Sequence, residues 1–247
     1  MARAEGNLPY AAARVQARHG RRADESVWRR VEVAPDLGQY LESVRRGALA
    51  GWVAAIDKEH DAHAVERSLR AAWREYVHAV AGWHPREWQA WIDWWRWLPL
   101  LPLISRLARP QALPPWFLAD PVCGPIATGS LVERADALGA TELAPLAAAV
   151  RGEAAIGVAW LAHAARLAPR VDQESAEWLG RLMGSLDAGE DRLHVRPARG
   201  LLQLFRAAAG TAVASGCHLA LLSLDLERLR GGLVVRSLFP LTQAEAA

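Results

Sequence analysis

The densest group of potential metal ligands in the sequence lies between residues 57 and 66. Its acidic and histidine side chains are Asp57, Glu59, His60, Asp61, His63 and Glu66. If a helix begins by His60, then His60 and His63 lie one turn apart and share a face that could hold a transition metal, with Asp57 or Glu66 as a further ligand. The alternative is that the acidic residues stabilise the beginning of a helix and the histidines are solvated. We favour this alternative, because no second ligand group with matching spacing occurs elsewhere.

Motifs for covalent or nucleotide chemistry are missing from the sequence. There is no GxSxG nucleophile elbow, and neither Cys123 nor Cys217 stands in a catalytic signature. The phosphate-binding patterns GxGxxG and GxxxxGK followed by Ser or Thr are also missing. Two widely separated cysteines are typical of a protein from a reducing compartment. We therefore predict a protein that is not an enzyme and holds no cofactor or metal, with a helical metal-dependent enzyme using His60 and His63 as an alternative.

A run of arginines near the N-terminus is the most prominent charged feature of the sequence. Its members are Arg14, Arg18, Arg21, Arg22, Arg29 and Arg30. Such a run could form an electropositive docking face, in which Arg21 and Arg22 contact a protein partner. The alternative is a solvated helix face whose charges pair with nearby acidic residues. The formal net charge of the chain is only +2, so the composition does not predict a nucleic-acid-binding protein.

Tryptophan is unusually frequent, with 12 residues in the chain, and five of them lie on one segment. Pro85 begins a predicted helix that runs to the next proline breaker. Its tryptophans are Trp88, Trp91, Trp94, Trp95 and Trp97. A helix that is apolar on all sides can be buried, can present an anchor surface to another protein, or can lie at a membrane interface. We expect burial, with Trp91 and Trp95 facing the core one turn apart; the second interpretation is a partner-binding surface that includes Trp88 and Trp94.

Helical periodicity recurs along most of the chain and predicts an all-α fold, a multi-helix array or bundle. Residues 37–44 carry apolar side chains at i, i+3, i+4 and i+7, and a longer apolar stripe follows over residues 61–81. A last long helix is predicted over about residues 198–222. The run 233–235, after two glycines, is the only β-like segment and is too short to imply a sheet.

Prolines interrupt the chain repeatedly between residues 99 and 126. This connector is the candidate internal boundary of what we otherwise predict to be a single helical domain over residues 1–247. The longest apolar stretch, residues 98–104, is broken by Pro99 and Pro102 and is shorter than the roughly 20 residues that span a bilayer. The sequence therefore predicts no transmembrane segment.

The opening of the chain carries a recognisable pattern, since residues 10–18 read Y-x-x-A-R-V-x-A-R. Together with the helical pattern that follows, this segment resembles the C-subunit family of archaeal and bacterial V/A-type ATPases, the relatives of the eukaryotic V-ATPase d-type subunit. The resemblance covers about residues 10–80. Members of the family are all-helical and non-catalytic, and they couple the central shaft to the membrane proteolipid ring. The resemblance makes Tyr10, Arg14 and Arg18 part of the helical framework.

The functional hypothesis is a coupling or docking subunit of a V-type rotary ATPase. Its expected partners are protein subunits of the shaft and of the proteolipid ring. We expect a cytoplasmic protein that is peripheral at the inner membrane only through these partners. The alternative is a stand-alone cytoplasmic helical adaptor or assembly chaperone that holds a client protein.

Overall fold

The computed structural model describes residues 7–109, 113, 115–121, 123–170, 173–187 and 196–239. These residues form helices and connecting turns, with no strand among them, and the all-α prediction is confirmed. The α-helices are α1 (Leu8–His19), α2 (Glu25–Glu32), α3 (Leu37–Arg45), α4 (Ala62–Ala81), α5 (Arg86–Trp94), α6 (Leu101–Leu107), α7 (Pro115–Leu118), α8 (Leu131–Gly139), α9 (Ala147–Val150), α10 (Ile156–Leu167), α11 (Gln173–Asp187), α12 (Arg196–Ala207) and α13 (Ala212–Leu238). Short 3-10 segments cover Ala50–Trp52, Trp95–Leu100, Gly124–Ile126 and Ala144–Leu146.

Side-chain caps define where several helices begin. Asp24, Asp36 and Asp61 each accept a hydrogen bond from a backbone N–H in the first turn of the helix that follows. Ser130 forms a capping box with Glu133 at the beginning of α8. Each cap satisfies an N–H that has no partner inside the helix, which stabilises the helix by about 1 kcal/mol.

Helix α13 is the centre of the array. Every residue from 212 to 222 is buried, because α1, α4, α5, α11 and α12 surround this half of the helix. Two glycines permit the closest contacts. A Cβ on Gly216 would lie 2.6 Å from Trp91, and a Cβ on Gly232 would lie 2.2 Å from the hydroxyl of Tyr40. The small residues of α13 therefore admit large aromatic side chains from neighbouring helices.

The C-terminal region differs from the sequence prediction in two respects. The helix predicted over 198–222 is two helices, because Gly210 takes a positive φ of 89° and ends α12 before α13 begins. The β-like run 233–235 is helical and belongs to α13. Leu229 and Leu233 are both fully buried one turn apart, so the helical register buries them together and outweighs the local preference of valine for strands.

The tryptophan-rich segment lies in the core. Trp91 and Trp95 are 0% exposed, as expected, and their rings meet edge to face with centroids 5.7 Å apart. The segment is not one continuous α-helix, since α5 ends at Trp94 and a 3-10 turn carries the chain past Pro99. Trp88 and Trp94 are only 6% and 5% exposed, so neither presents the partner-binding surface that was the second interpretation.

Helices on both sides of the proline-rich connector contribute to one cluster of buried side chains. Residues 110–112, 114 and 122 of the connector lie outside the described residues. Beyond it, α10 packs against α5, α6 and α11, and Arg134 of α8 donates a hydrogen bond to the carbonyl of Arg109, 3.2 Å away. In the described part of the chain, no helix is both long and apolar enough to cross a membrane.

Two arginines of α13 form hydrogen bonds with α2 and with the turn that follows α2. The Arg228 guanidinium bonds the carboxylates of Glu25 and Glu32 at 2.6–3.0 Å, across about 200 positions of sequence. Arg236 donates to the backbone carbonyls of Glu32 and Ala34, both at 2.8 Å. These contacts fix α2 and the turn after it against the C-terminal half of α13.

Candidate functional site

His60 and His63 do not form a metal site in the structure. Helix α4 begins at Ala62, after the cap Asp61, so His60 precedes the helix and does not share a helical face with His63. The Nδ1 atom of His60 instead accepts a hydrogen bond from the backbone N–H of Asp57 at 3.1 Å. Among the described residues, no three His, Cys, Asp or Glu side chains lie close enough together to hold a metal ion.

The motif Y-x-x-A-R-V-x-A-R lies on α1. The guanidinium of Arg14 donates to the hydroxyl of Tyr10 at 2.6 Å and lies over the ring of Trp83, 4.6 Å from its centroid. This stack joins α1 to the turn that follows α4, and a cation–π contact of this kind contributes about 0.5–2 kcal/mol. Arg18 lies one turn further along α1 and borders a cleft.

That cleft, called the basic cleft below, has a volume of about 540 Å³ and is the best candidate for a binding site. It lies where the C-terminal end of α1 meets α4, α13 and the segment 47–52. Its main polar and aromatic lining residues are Arg18, Arg21, Arg22, Trp52, Glu75, Tyr76 and Asp225. The lining thus combines three arginines with two carboxylates and two aromatic rings, so the charges left unpaired decide what the cleft can bind.

Arg22 forms the fixed inner edge of the basic cleft. Its guanidinium makes two hydrogen bonds to the carboxylate of Asp225, at 2.8 and 3.0 Å, and a third to the carbonyl of Leu221 at 3.3 Å. The two charged side chains are only 16% and 12% exposed. Burial raises the pKa of Asp225, while the bonds and charge of Arg22 oppose that rise. Arg22 is thus a paired, partly buried residue and not the exposed arginine that the sequence suggested.

Arg18 and Arg21 form the outer edge of the cleft. Both are exposed, and neither makes an ion pair within the part of the chain that the structure describes. Glu75 of α4 is also exposed and lines the same cleft. The outer cleft therefore carries two positive charges and one negative charge that are available to a ligand.

The aromatic wall of the cleft is held by partners behind it. The Trp52 ring stacks on buried Trp73, with centroids 6.2 Å apart, and lies 5.3 Å from Tyr76. The hydroxyl of Tyr76 is hydrogen-bonded to Nε2 of His218 at 2.8 Å, and burial raises the pKa of Tyr76 to about 12. Trp52 and Tyr76 are thus both held by contacts behind the cleft, and Tyr76 stays protonated at physiological pH.

Two histidines lie beneath the cleft and are neutral. Burial, assisted by the charges of Arg22 and Arg18, lowers the pKa of His218 to about 3. His19 stacks on Phe205 at 3.9 Å, and burial together with the charges of Arg22 and Arg206 lowers its pKa to about 4. Neither imidazole titrates near neutral pH, so neither has the pKa expected of an acid–base catalyst at neutral pH.

The arginines of the cleft stand out in the sequence, but its other residues do not. Tyr76 and Asp225 line the cleft, and His218 lies beneath it, only because α4 and α13 pack against α1. One signal was available in the sequence. His218 and Asp225 are seven positions apart in a run that is apolar apart from Ser223. They therefore lie on one face of a helix, and polar side chains there predict buried contacts.

Comparison with known proteins gave no match, whether to a protein-family model, to a curated protein or to a solved structure.

Proposed function

We propose that this chain is a non-catalytic docking subunit that binds a protein partner through the basic cleft. The observation that carries the proposal is a pair of cations, Arg18 and Arg21, that have no ion-pair partner among the described residues and line the same cleft as Trp52 and Tyr76. Charged rims around apolar anchors are typical of surfaces that bind proteins specifically. The run of arginines in the sequence suggested the same role.

The chemistry of the cleft supports docking over catalysis. Its hydroxyl, on Tyr76, is held protonated, and the imidazoles behind it are held neutral by burial. General acid–base catalysis needs a group whose pKa lies near the working pH, and these three groups lie far from it. What the cleft offers a ligand is fixed charge and a flat apolar surface, which are sufficient for recognition.

The resemblance in residues 10–80 suggests the setting. We propose that the partners are shaft and proteolipid-ring subunits of a V-type rotary ATPase, which the chain would couple at the cytoplasmic face of the membrane. The bond between Tyr10 and Arg14 and the stack on Trp83 support a framework role for the motif on α1. A stand-alone helical adaptor or assembly chaperone is the alternative, and it would use the same cleft.

The test is co-purification of the tagged chain from its native host. We expect shaft and proteolipid-ring subunits in the eluate, and no ATPase activity from the isolated chain. Arg21→Glu should reduce their recovery, because it reverses an exposed charge at the cleft. Arg67→Glu is the matched control, since Arg67 is exposed on α4 and is not among the residues that line the cleft. Recovery of the chain alone, or only with unrelated proteins, would reject the rotary ATPase and favour the adaptor.

A further inference from the structure

We infer that the basic cleft receives an acidic polypeptide segment that also carries an aromatic or aliphatic side chain. This inference rests on the docking role proposed above and not on the identity of the partner. Three properties of the cleft lead to it: the distribution of charge, the fixed aromatic surface and the volume.

The charge distribution favours carboxylates. Arg22 is neutralised by Asp225, so the charges open to a ligand are those of Arg18, Arg21 and Glu75. Carboxylates form short, charge-assisted hydrogen bonds with guanidinium groups, and two neighbouring acidic residues could each meet one of the two arginines. The carboxylate of Glu75 repels a doubly charged group such as a phosphate more strongly than a singly charged carboxylate at the same distance. A cationic or hydrogen-bond-donating side chain of the same segment would complement Glu75.

The aromatic surface supplies an apolar anchor. Trp52 is partly exposed, while its ring is fixed by Trp73 behind it and by Tyr76 beside it. A side chain that packs on Trp52 loses contact with water, while the ring loses little conformational freedom because it is already ordered. Aromatic and aliphatic anchors of this kind contribute much of the affinity of many protein interfaces.

The volume limits the occupant to part of a polypeptide. About 540 Å³ accommodates a few side chains, so the part of the ligand that enters the cleft is a short segment such as a loop or a terminus. Arg18, Arg21 and Trp52 line the same cleft, so a segment with several side chains can offer a separate group to each of them.

The test selects peptides from a random dodecapeptide library displayed on phage, using the purified chain as bait. We expect the recovered peptides to contain paired acidic residues and a Trp, Phe, Tyr or Leu. Synthetic copies should bind the double variant Arg18→Gln/Arg21→Gln at least about tenfold more weakly, a loss of about 1.4 kcal/mol. They should bind Arg67→Gln as tightly as the unmodified chain. Circular dichroism would check that both variants remain helical.

Further arms distinguish a carboxylate ligand from a phosphate. Arginine stays charged, Tyr76 stays protonated, and His19 and His218 stay neutral between pH 5.5 and 8 by the shifts described above. Carboxylate binding should therefore change little over this range, whereas a phosphate monoester gains charge near its second pKa of about 6. Phosphoserine copies of the peptides and vesicles with anionic phospholipid are the competing probes.

Three results would overturn the inference: recovered peptides without acidic residues, equal binding to the double variant, or tighter binding of the phosphorylated probes or vesicles. These results do not depend on the rotary ATPase. If acidic peptides bind the cleft but nothing from the shaft or the ring co-purifies, the proposed setting fails and the inference stands. If those partners co-purify with the Arg18→Gln/Arg21→Gln chain undiminished, the setting stands and the cleft is not the contact.

Discussion

Replacing Gly216 by alanine tests whether the close packing of α13 against the tryptophan segment stabilises the fold. The added Cβ would lie 2.6 Å from Cη2 of Trp91, 2.8 Å from Cδ2 of Leu182 and 3.1 Å from Cζ2 of Trp95. A Cβ atom in a folded protein essentially never lies within 3.0 Å of a non-bonded heavy atom, so the neighbouring side chains would have to move. All three are 0% exposed and have little room to do so. Overpacking of this kind costs about 1–3 kcal/mol.

A second substitution on the same helix separates this contact from helix propensity. Gly231 is exposed, and a Cβ there would meet nothing within 4 Å. Gly231→Ala should therefore stabilise the protein by about 1 kcal/mol, the usual advantage of alanine over glycine inside a helix. Gly216→Ala should gain the same helix propensity, but overpacking against the indole rings offsets this gain. The net effect should lie between neutral and a destabilisation of about 2 kcal/mol.

The two variants should thus differ by about 1–3 kcal/mol in the free energy of unfolding. Urea denaturation followed by circular dichroism in the far ultraviolet measures this difference, and tryptophan fluorescence would report the displacement of Trp91 and Trp95. In thermal unfolding the difference corresponds to roughly 2–12 °C in Tm for a chain of this size. Equal stabilisation by the two alanines would refute the packing of Gly216 against the indole rings.

Two further predictions concern the groups around the basic cleft. The free energy of unfolding should fall as the pH drops from about 6.5 towards 3, because the unfolded chain binds protons at His19 and His218 before the folded chain does. His218→Gln should make the fall of the urea midpoint between pH 6.5 and 4 shallower. An unchanged profile would contradict the burial of this imidazole. Asp225→Ala should destabilise the fold by about 2–4 kcal/mol, because it leaves the partly buried Arg22 without its partner. The double variant Arg22→Leu/Asp225→Leu should lose less stability than Asp225→Ala in the same denaturation assay. A larger loss in the double variant would show that the ion pair is itself the stabilising contact.

Local patterns in the sequence were sufficient to predict much of the fold. Asp36 caps α3 as its position before an amphipathic run implies, and the apolar side chains of that run are buried. Trp91 and Trp95 are buried as the spacing of the tryptophans indicates. The run 233–235, which is β-like in sequence but too short to predict a sheet, is helical in the structure. Gly232 is helical and admits Tyr40, a contact that only tertiary structure reveals.

The candidate site was less predictable than the fold for the same reason. The arginines of the cleft are near each other in sequence, so their clustering was visible. Asp225 lies 203 positions from Arg22, and His218 lies 142 positions from Tyr76. No local sequence pattern predicts contacts between residues so far apart in the chain. Without the contact to Asp225, the sequence does not distinguish Arg22 from the exposed Arg21.

The fastening of α2 to α13 through Arg228 has a consequence for synthesis of the chain. Glu32 leaves the ribosome 196 residues before Arg228, which at 5–20 residues per second is a delay of about 10–40 s. During this time Trp28, which in the finished protein is buried with the Arg228 guanidinium over its ring, lacks this contact. The early helices therefore form a nascent segment with exposed apolar surface, which makes the chain a candidate client of ribosome-associated chaperones. Folding should be completed only after translation of the last helix.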